Sequence, residues 1–150
     1  MIINTDKIGK TGLTLSDSIE MDENLLIEED GFFLQNLNYN ILLTRDGEKI
    51  KAKGKIRTSV SLKCVRCLDN FELKINSSFD IILFPTNLVE FSNVSLNADD
   101  MEYIFFEGDK IDLLKILMEQ VNLFIPFNPI CNGDCKGICP VCGMNINYEK

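Results

Sequence analysis

Alternation of apolar and polar positions is clearest between residues 32 and 85. The stretch "FFLQNLNYNILL" predicts a strand, and Asp46–Gly47 in "TRDGEK" is typical of a hairpin turn. A second strand, "KIKAKGKIRTSVSL", follows from Lys49, and a third, "FELKINSSFDIILF", ends at Pro85. Residues 32–85 therefore predict a β-hairpin region that contains a Cys-x-x-Cys motif. Gly54, inside the second strand, indicates a bulge or a bend.

A helical period appears later, over residues 109–125, and predicts the main helix. Apolar residues recur there at helical spacing. Asp109 is the expected N-cap, Asp112 adds negative charge to the first turn, and Pro126 ends the helix. Residues 1–31 show no clean period and predict short strands or a short helix. Residues 86–101 form a polar excursion, and "EYIFF" after it predicts another short strand.

These elements predict one α+β domain over residues 1–150. We expect a mainly antiparallel β-sheet, or a partly open barrel, with one principal helix and a C-terminal zinc-knuckle segment at 131–147. The chain has no apolar run of about 18 residues, so no membrane span is expected. Its first residues do not have the pattern of a secretion signal. A cytoplasmic location follows as an expectation, and in a reducing compartment the thiols are better explained by metal or redox chemistry than by disulfides.

The composition argues against an enzyme. The chain contains no histidine, so it lacks the usual general base near neutral pH and any Ser-His or Cys-His nucleophile pair. No Gly-rich phosphate loop or paired-carboxylate motif is present either. We therefore expect a protein without catalytic residues and without a small-molecule substrate.

Charge is distributed very unevenly along the chain. The net charge is −8, yet residues 49–66 contain seven of the 15 basic residues and none of the 23 acidic ones. Because successive strand side chains point to opposite faces, the cations from Lys49 to Arg57 share one face. This face predicts phosphate contacts with RNA; the alternative is a solvated edge whose lysines prevent aggregation. The candidate RNA-binding residues are Lys49, Lys51, Lys53, Lys55, Arg57, Lys63 and Arg66.

Six cysteines offer two ways of building a four-thiolate zinc site. Two Cys-x-x-Cys motifs have the gap that lets both sulfurs face one metal ion, and a looser pair precedes the second motif. The slightly preferred set is local and has the lower loop-closure entropy: Cys131, Cys135, Cys139 and Cys142. The alternative set joins the two motifs: Cys64, Cys67, Cys139 and Cys142.

Two other interpretations of the cysteines stay open. The first motif, Cys64 and Cys67, is also compatible with a pair of buried thiols that bind no metal. A thioredoxin-like redox couple would require the motif at a helix N-terminus after a βαβ strand. Here the motif lies between two predicted hairpin strands, which disfavours redox chemistry. We expect zinc to be structural, fixing a loop too rich in Gly and Pro to hold itself.

The order of these features resembles the YceD family, the large ribosomal RNA subunit accumulation proteins. The resemblance covers roughly residues 32–147 and depends on three places: Cys64-x-Arg66-Cys67-Leu68, the Ile111-Asp112-Leu113 helix with its Pro126 end, and Cys135-Lys136-Gly137-Ile138-Cys139-Pro140-x-Cys142-Gly143-x-Asn145-x-Asn147. Family members often carry further cysteines after the Asn-x-Asn, whereas "YEK" follows here. This departure favours a site completed by the cysteines named above.

The resemblance implies a non-enzymatic role in the synthesis, processing or stability of 23S ribosomal RNA. Our leading hypothesis is a ribosome-biogenesis factor that contacts large-subunit rRNA or a pre-ribosomal particle through the basic strand. A second hypothesis is an acidic interaction module that binds a basic ribosomal or assembly protein and no RNA. A third is a thiol oxidoreductase with an accessible, acidic Cys64.

Overall fold

The computed structural model describes residues 1–21, 31–86 and 102–148. Within these ranges the chain forms eight strands, one α-helix and two short 3₁₀ helices, Thr5–Lys7 and Ile146–Tyr148. The strands are β1 (Ile2–Asn4), β2 (Leu13–Ile19), β3 (Phe32–Phe33), β4 (Leu37–Asp46), β5 (Lys49–Lys63), β6 (Asn70–Pro85), β7 (Glu102–Phe106) and β8 (Lys110–Asp112), and helix α1 spans Leu113–Phe124. A mixed class with mostly strands and one helix is thereby confirmed.

The larger sheet has the strand order β2-β4-β5-β6-β7, with β3 paired to β5 beyond the end of β4. All neighbours are antiparallel except β6 and β7, which run parallel. Both sheets are open, and β2 and β7 are the edge strands among the residues described. Over the described residues the sheets therefore do not close into a barrel. Most of the polar excursion, and residues 22–30, lie outside the described residues.

The β5–β6 hairpin, formed by the two longest strands, lies inside the larger sheet. Its register is continuous from Ile50 opposite Leu83 to Lys63 opposite Asn70, so the bulge expected at Gly54 is wrong. The glycine has a different role, because Ile41 and Phe79 close over it from the neighbouring strands. A Cβ at Gly54 would lie 2.6 Å from the Ile41 Cγ1 and 2.7 Å from the Phe79 Cζ. Such close approach of side chains across a strand needs a residue without a Cβ.

A second, two-stranded sheet joins the N-terminus of the chain to the strand that precedes α1. Strand β1 pairs antiparallel with β8, and α1 begins directly after β8. The predicted start of the helix at Asp109 is wrong, because residues 110–112 are extended and paired with β1. Asp112 is the N-cap instead: its Oδ1 accepts a hydrogen bond from the Lys115 amide at 3.4 Å.

One apolar core lies between the inner face of the larger sheet and α1. The alternating positions of β4 and of the first half of β5 supply its centre, as expected for a sheet covered on one face. Fully buried members include Leu37, Ile41, Leu43, Ile50, Ile56, Leu62, Ile75, Ile81, Leu83, Ile111 and Leu113. The opposite face of β5 is left to solvent along its first half. No helix in the described ranges is long and apolar enough to cross a membrane.

Candidate metal centre and basic sheet face

Two segments that are distant in sequence bring four thiols together. The Sγ atoms of Cys64, Cys67, Cys131 and Cys135 all lie within 4.8 Å of one another. Cys64 and Cys135 are 3.7 Å apart, and so are Cys67 and Cys131. Three of these side chains are buried and Cys131 is half-buried. We call this group the four-cysteine centre.

The first two thiols come from the tight turn that joins β5 to β6. The Cys64 amide donates to the Asp69 carbonyl at 2.9 Å, and the Leu68 amide donates back to the Cys64 carbonyl at 3.0 Å. Leu68 has a φ of 63°, a left-handed conformation that non-glycine residues seldom adopt. This backbone points both sulfurs of the turn to the same side. We call a Cys-x-x-Cys turn closed in this way a knuckle.

The other two thiols come from the segment that follows α1 and Pro126. It is fastened to the first knuckle by backbone and side-chain bonds: the Val65 amide donates to the Pro129 carbonyl at 2.9 Å, and the Arg66 Nη1 donates to the Cys135 carbonyl at 3.3 Å. Gly137, with a φ of 80°, passes so close to Arg66 that a Cβ there would lie 3.3 Å from the Arg66 carbonyl oxygen.

The two asparagines of the Asn-x-Asn motif secure the centre from outside. The Asn147 Nδ2 donates to the Cys135 Sγ at 3.4 Å, while its Oδ1 accepts from the Lys136 amide at 2.9 Å. The Asn145 Nδ2 and the Tyr148 hydroxyl both donate to the Asp69 Oδ2, at 2.6 and 2.9 Å. The motif was visible in the sequence without a role, whereas Asp69 and Tyr148 gave no signal at all.

The thiols of the centre differ in acidity. Burial opposes ionisation of Cys64, but the amides of Cys67, Cys131 and Arg66 lower its pKa to about 6. The hydrogen bond from Asn147 lowers the pKa of Cys135 despite burial. Burial and the neighbouring thiols raise the pKa of Cys131 to about 12. Binding of a divalent cation requires thiolates and would displace the protons that remain on these sulfurs.

The four-cysteine centre fits a tetrahedral zinc ion. Zinc–sulfur bonds of about 2.3 Å in a tetrahedron require sulfurs about 3.8 Å apart, and two of the observed separations are 3.7 Å. Four thiolates without an open position are the donors of structural zinc sites. The same burial is unfavourable for disulfide exchange, because Cys64 has no exposed surface.

Neither of the two cysteine sets predicted from the sequence is the set that the fold brings together. The local set included Cys131 and Cys135, and the alternative set included Cys64 and Cys67; the fold combines these two pairs. Cys139 and Cys142 lie outside the centre, half-buried and exposed respectively. Loop closure within residues 131–142 favours the local set, but this segment docks on the β5–β6 turn, which brings Cys131 and Cys135 to Cys64 and Cys67.

The predicted cation stripe lies on the outer face of β5. Lys51, Lys53, Lys55 and Arg57 are exposed while the residues between them point to the core side. At the middle of β5 the strand register places uncharged polar side chains on both sides of the stripe. Asn40 and Ser78 flank Lys55, and Asn38 and Asn76 flank Arg57.

The cations of the stripe differ in how far they are compensated. Lys51 pairs with Asp46 at 3.3 Å, and Lys53 pairs with Asp80 at 3.5 Å. The Lys49 ammonium lies 5.6 Å from the centre of the Phe84 ring, a cation–π contact. Among the described residues, Lys55 and Arg57 have no carboxylate partner. Within the stripe, the positive charge without a carboxylate partner therefore lies at the middle of β5.

Two shallow depressions meet at this point of the sheet. One, of about 560 Å³, is lined by Lys53, Lys55, Ser78 and other residues. The other, of about 440 Å³, is lined by residues that include Arg57 and Asn76. Both include Asn40 and Lys55. The remaining two candidates lie elsewhere: Lys63 is at the end of β5, and Arg66 is in the first knuckle, bonded to the cysteine segment.

The domain is thus an open mixed sheet with a four-cysteine centre at one hairpin tip and a cationic outer face. Residues 52–150 match the family model described as Large ribosomal RNA subunit accumulation protein YceD. The chain belongs to the YceD family, as the sequence motifs predicted.

Curated relatives include two plant proteins named Large ribosomal RNA subunit accumulation protein YCED homolog 1, chloroplastic. The protein from Zea mays is 23% identical over 128 residues, covering 70% of this chain and 44% of its own length. The Arabidopsis thaliana protein is 28% identical over 128 residues, covering 71% of this chain and 40% of its own length. An uncharacterized protein of Mycobacterium tuberculosis is 24% identical over 114 residues, covering 75% of this chain and 53% of its own length. This chain thus spans about half the length of the curated relatives it matches. No solved structure matches it.

Proposed function

We propose that this chain is a non-enzymatic ribosome-biogenesis factor that contacts large-subunit rRNA, alone or in a pre-ribosomal particle, through the outer face of β5. Relatives named for accumulation of large ribosomal RNA support a role in ribosome biogenesis. We include a structural zinc ion at the four-cysteine centre and a cytoplasmic site of action in the proposal. The 23S rRNA is the expected target because of the family.

The observation that carries this proposal is the uncompensated charge of Lys55 and Arg57. Unlike Lys51 and Lys53 of the same stripe, which meet carboxylates, Lys55 and Arg57 have no such partner among the described residues. These two instead point to solvent between rows of amide and hydroxyl side chains. Cations with neighbouring Asn and Ser side chains are the groups that contact phosphate and sugar oxygens.

The composition of the face also suggests what kind of RNA contact it makes. The positions that flank Lys51, Lys53, Lys55 and Arg57 in the sheet carry no aromatic side chain on which a base would stack. Affinity would then come from the phosphates and depend strongly on salt, with little discrimination among sequences. Selection of the large-subunit rRNA would have to come from its shape or from other parts of the particle.

The proposed zinc ion would act on the shape of the protein and not on the RNA. It would be held by Cys64, Cys67, Cys131 and Cys135, joining the tip of the β5–β6 hairpin to the segment after α1. Metal analysis of purified protein tests this part. Serine variants of the 64/67 pair and of the 131/135 pair are each expected to lose about one zinc ion per chain; a variant that keeps the metal content of the wild type would refute the assignment.

RNA binding is tested with a charge-matched pair of double variants. Lys55→Gln/Arg57→Gln removes the uncompensated cations, while Lys110→Gln/Lys115→Gln removes two exposed cations from β8 and α1. Binding to a large-subunit rRNA fragment is measured against salt concentration. We expect the first variant to bind at least tenfold more weakly and to reduce the slope of log K against log salt by about 2, and the second to behave as wild type.

Two results would count against RNA contact through β5. Equal losses in both double variants would indicate a general charge effect. Unchanged binding of both variants to pre-ribosomal particles, with no binding to naked rRNA, would favour the acidic interaction module instead. Thermal unfolding of both variants excludes a trivial loss of fold.

A further inference from the structure

The loop from Cys139 to Met144 repeats the backbone of the first knuckle bond for bond. In the first knuckle the amide of the first cysteine donates to the carbonyl five residues later, and the amide four residues later donates back to that cysteine. In the second loop the Cys139 amide donates to the Met144 carbonyl at 2.7 Å, and the Gly143 amide donates to the Cys139 carbonyl at 2.9 Å.

The similarity extends to the residues around the two loops. The residue before the first cysteine pairs with the residue seven positions later in both cases: Lys63 with Asn70, and Ile138 with Asn145. The residue after the second cysteine has a positive φ in both, 63° at Leu68 and 76° at Gly143. Two unrelated stretches of sequence thus adopt one backbone, and in the first of them that backbone presents two sulfurs to the four-cysteine centre.

We call the Cys139–Met144 loop the second knuckle. Its backbone amides bond to the sulfur of its first cysteine, as those of the first knuckle do. The amides of Cys142 and Val141 hydrogen-bond to the Cys139 sulfur and lower the pKa of Cys139. These amides occupy the positions of Cys67 and Arg66 in the first knuckle, which have the same effect on Cys64. Amides that turn toward a sulfur stabilise a thiolate, the form in which cysteine binds metal.

What the second knuckle lacks is the other half of a site. The chain has six cysteines and no histidine, and the other four cysteines form the four-cysteine centre. The knuckle itself is at the surface: Cys142 is exposed, and Val141 and Met144 are 92% and 64% exposed. One loop therefore carries an exposed thiol, a half-buried thiol and two exposed apolar side chains.

We propose that the Cys139–Cys142 knuckle is half of a second zinc site, which the same knuckle of a second copy of this chain completes. Two knuckles related by a twofold axis supply four thiolates, the number that a tetrahedral zinc ion requires. Each thiol that is still protonated releases its proton to solvent as its zinc–sulfur bond forms. Val141 and Met144 of both copies would be covered in the same step, which removes apolar surface from water.

Zinc titration of the purified chain, followed by size-exclusion chromatography with light scattering, tests this proposal. We expect a monomer in chelator and a dimer when zinc is added. Cys139→Ser/Cys142→Ser should stay monomeric in zinc and hold about 0.5 zinc ion per chain less than wild type, because one ion is shared by two chains. Serine at 64/67 serves as the counterpart, which lowers metal content by about one ion per chain.

Because the second knuckle is at the surface, a substitution there can be chosen that leaves the fold intact. Cys142 is at the surface, so the single variant Cys142→Ser keeps the core and is also expected to abolish the zinc-dependent dimer. A wild-type chain that stays monomeric, with the same metal content as the double variant, overturns the proposal. So does a monomer that binds one more full zinc ion than the double variant, because solvent or carboxylates would then complete the site within one chain. Neither result affects RNA binding by β5, which is measured separately.

Discussion

The Sγ atoms of Cys64 and Cys135 lie 3.7 Å apart, although 71 positions separate the two residues. One belongs to the turn after β5 and the other to the segment after α1. A zinc ion held between them would cross-link the end of the sheet to the chain that follows the helix. Metal binding and folding of residues 126–148 would then be one process.

Asn147 is expected to control how tightly the four-cysteine centre holds metal. Its Nδ2 donates to the Cys135 Sγ at 3.4 Å and helps to lower the pKa of that thiol. Removing such a partner outside the ligands typically lowers metal affinity by about 10- to 100-fold. We predict a loss in this range for Asn147→Ala, measured by competition with a chromophoric chelator.

The matched control for Asn147→Ala is Asn132→Ala. Asn132 is exposed and next to Cys131, and its backbone carbonyl, which the substitution keeps, accepts from the Cys135 amide at 3.3 Å. Its zinc affinity should equal that of wild type. Equal affinities for all three proteins would show that the Asn147 amide does not support the thiolate.

Gly54 is expected to be among the positions of the sheet least tolerant of a methyl group. A Cβ there would lie 2.6 Å from the Ile41 Cγ1 and 2.9 Å from the Asn40 carbonyl oxygen. Because the contact includes backbone, rotamer changes alone cannot relieve it. Gly54→Ala should reduce the free energy of unfolding by about 1–3 kcal/mol in urea denaturation.

Gly133→Ala provides the comparison for Gly54→Ala. A Cβ at Gly133 would have no other atom within 4 Å, and the φ of this glycine is not in the left-handed region. Its substitution should leave the unfolding free energy within about 0.5 kcal/mol of wild type. If both alanine variants were equally stable, the closure of Ile41 and Phe79 over Gly54 would not be a packing constraint.

Patterns that are local in sequence predicted local structure well. The alternation from Lys49 to Arg57 predicted which cations share a face, because a strand has a period of two whatever surrounds it. The two-residue gap of each Cys-x-x-Cys predicted a knuckle, because that turn is closed by backbone bonds between residues close in sequence. The Asp-Gly turn at Gly47, with a φ of 64°, was likewise found between β4 and β5.

Features that depend on distant contacts were not predictable in this way. The grouping of Cys131 and Cys135 with the first knuckle requires the segment after α1 to dock on the β5–β6 turn, through contacts such as that of Val65 with Pro129. The parallel pairing of β7 with β6 also depends on where a long connection returns. A cluster of four cysteines was thus predicted, and which four cysteines the fold brings together was not.

The start of α1 gives a direct test of one such correction. Asp112 caps the helix through its side chain, whereas Asp109 contributes its backbone carbonyl, which accepts from the Thr5 amide at 2.7 Å. Asp112→Ala should therefore lower stability by about 1 kcal/mol. Asp109→Ala keeps the carbonyl and should have almost no effect; thermal unfolding of the two variants decides between them, and the opposite ranking would restore Asp109 as the N-cap.

Tyr148 makes the attachment of the C-terminal segment sensitive to alkaline pH. Its hydroxyl donates to the Asp69 Oδ2 at 2.9 Å, and this hydrogen bond, with the negative charge of Asp69, raises the pKa of Tyr148 above its ordinary value of 10.0. Because the folded protein holds this proton more tightly than the unfolded chain, the stabilisation is complete below pH 10 and is lost as the pH rises through the folded pKa.

Tyrosinate absorbance measures this effect when the titration of Tyr148→Phe is subtracted from that of wild type. We expect the Tyr148 midpoint above 10 in wild type and closer to 10 in Asp69→Asn, since asparagine still accepts a hydrogen bond but carries no charge. Asp17→Asn is the control, because Asp17 acts on Tyr39, whose pKa is raised first by burial and then by that charge. A Tyr148 midpoint that moves with Asp17 and not with Asp69 would show that the C-terminal 3₁₀ helix is not fastened to the first knuckle.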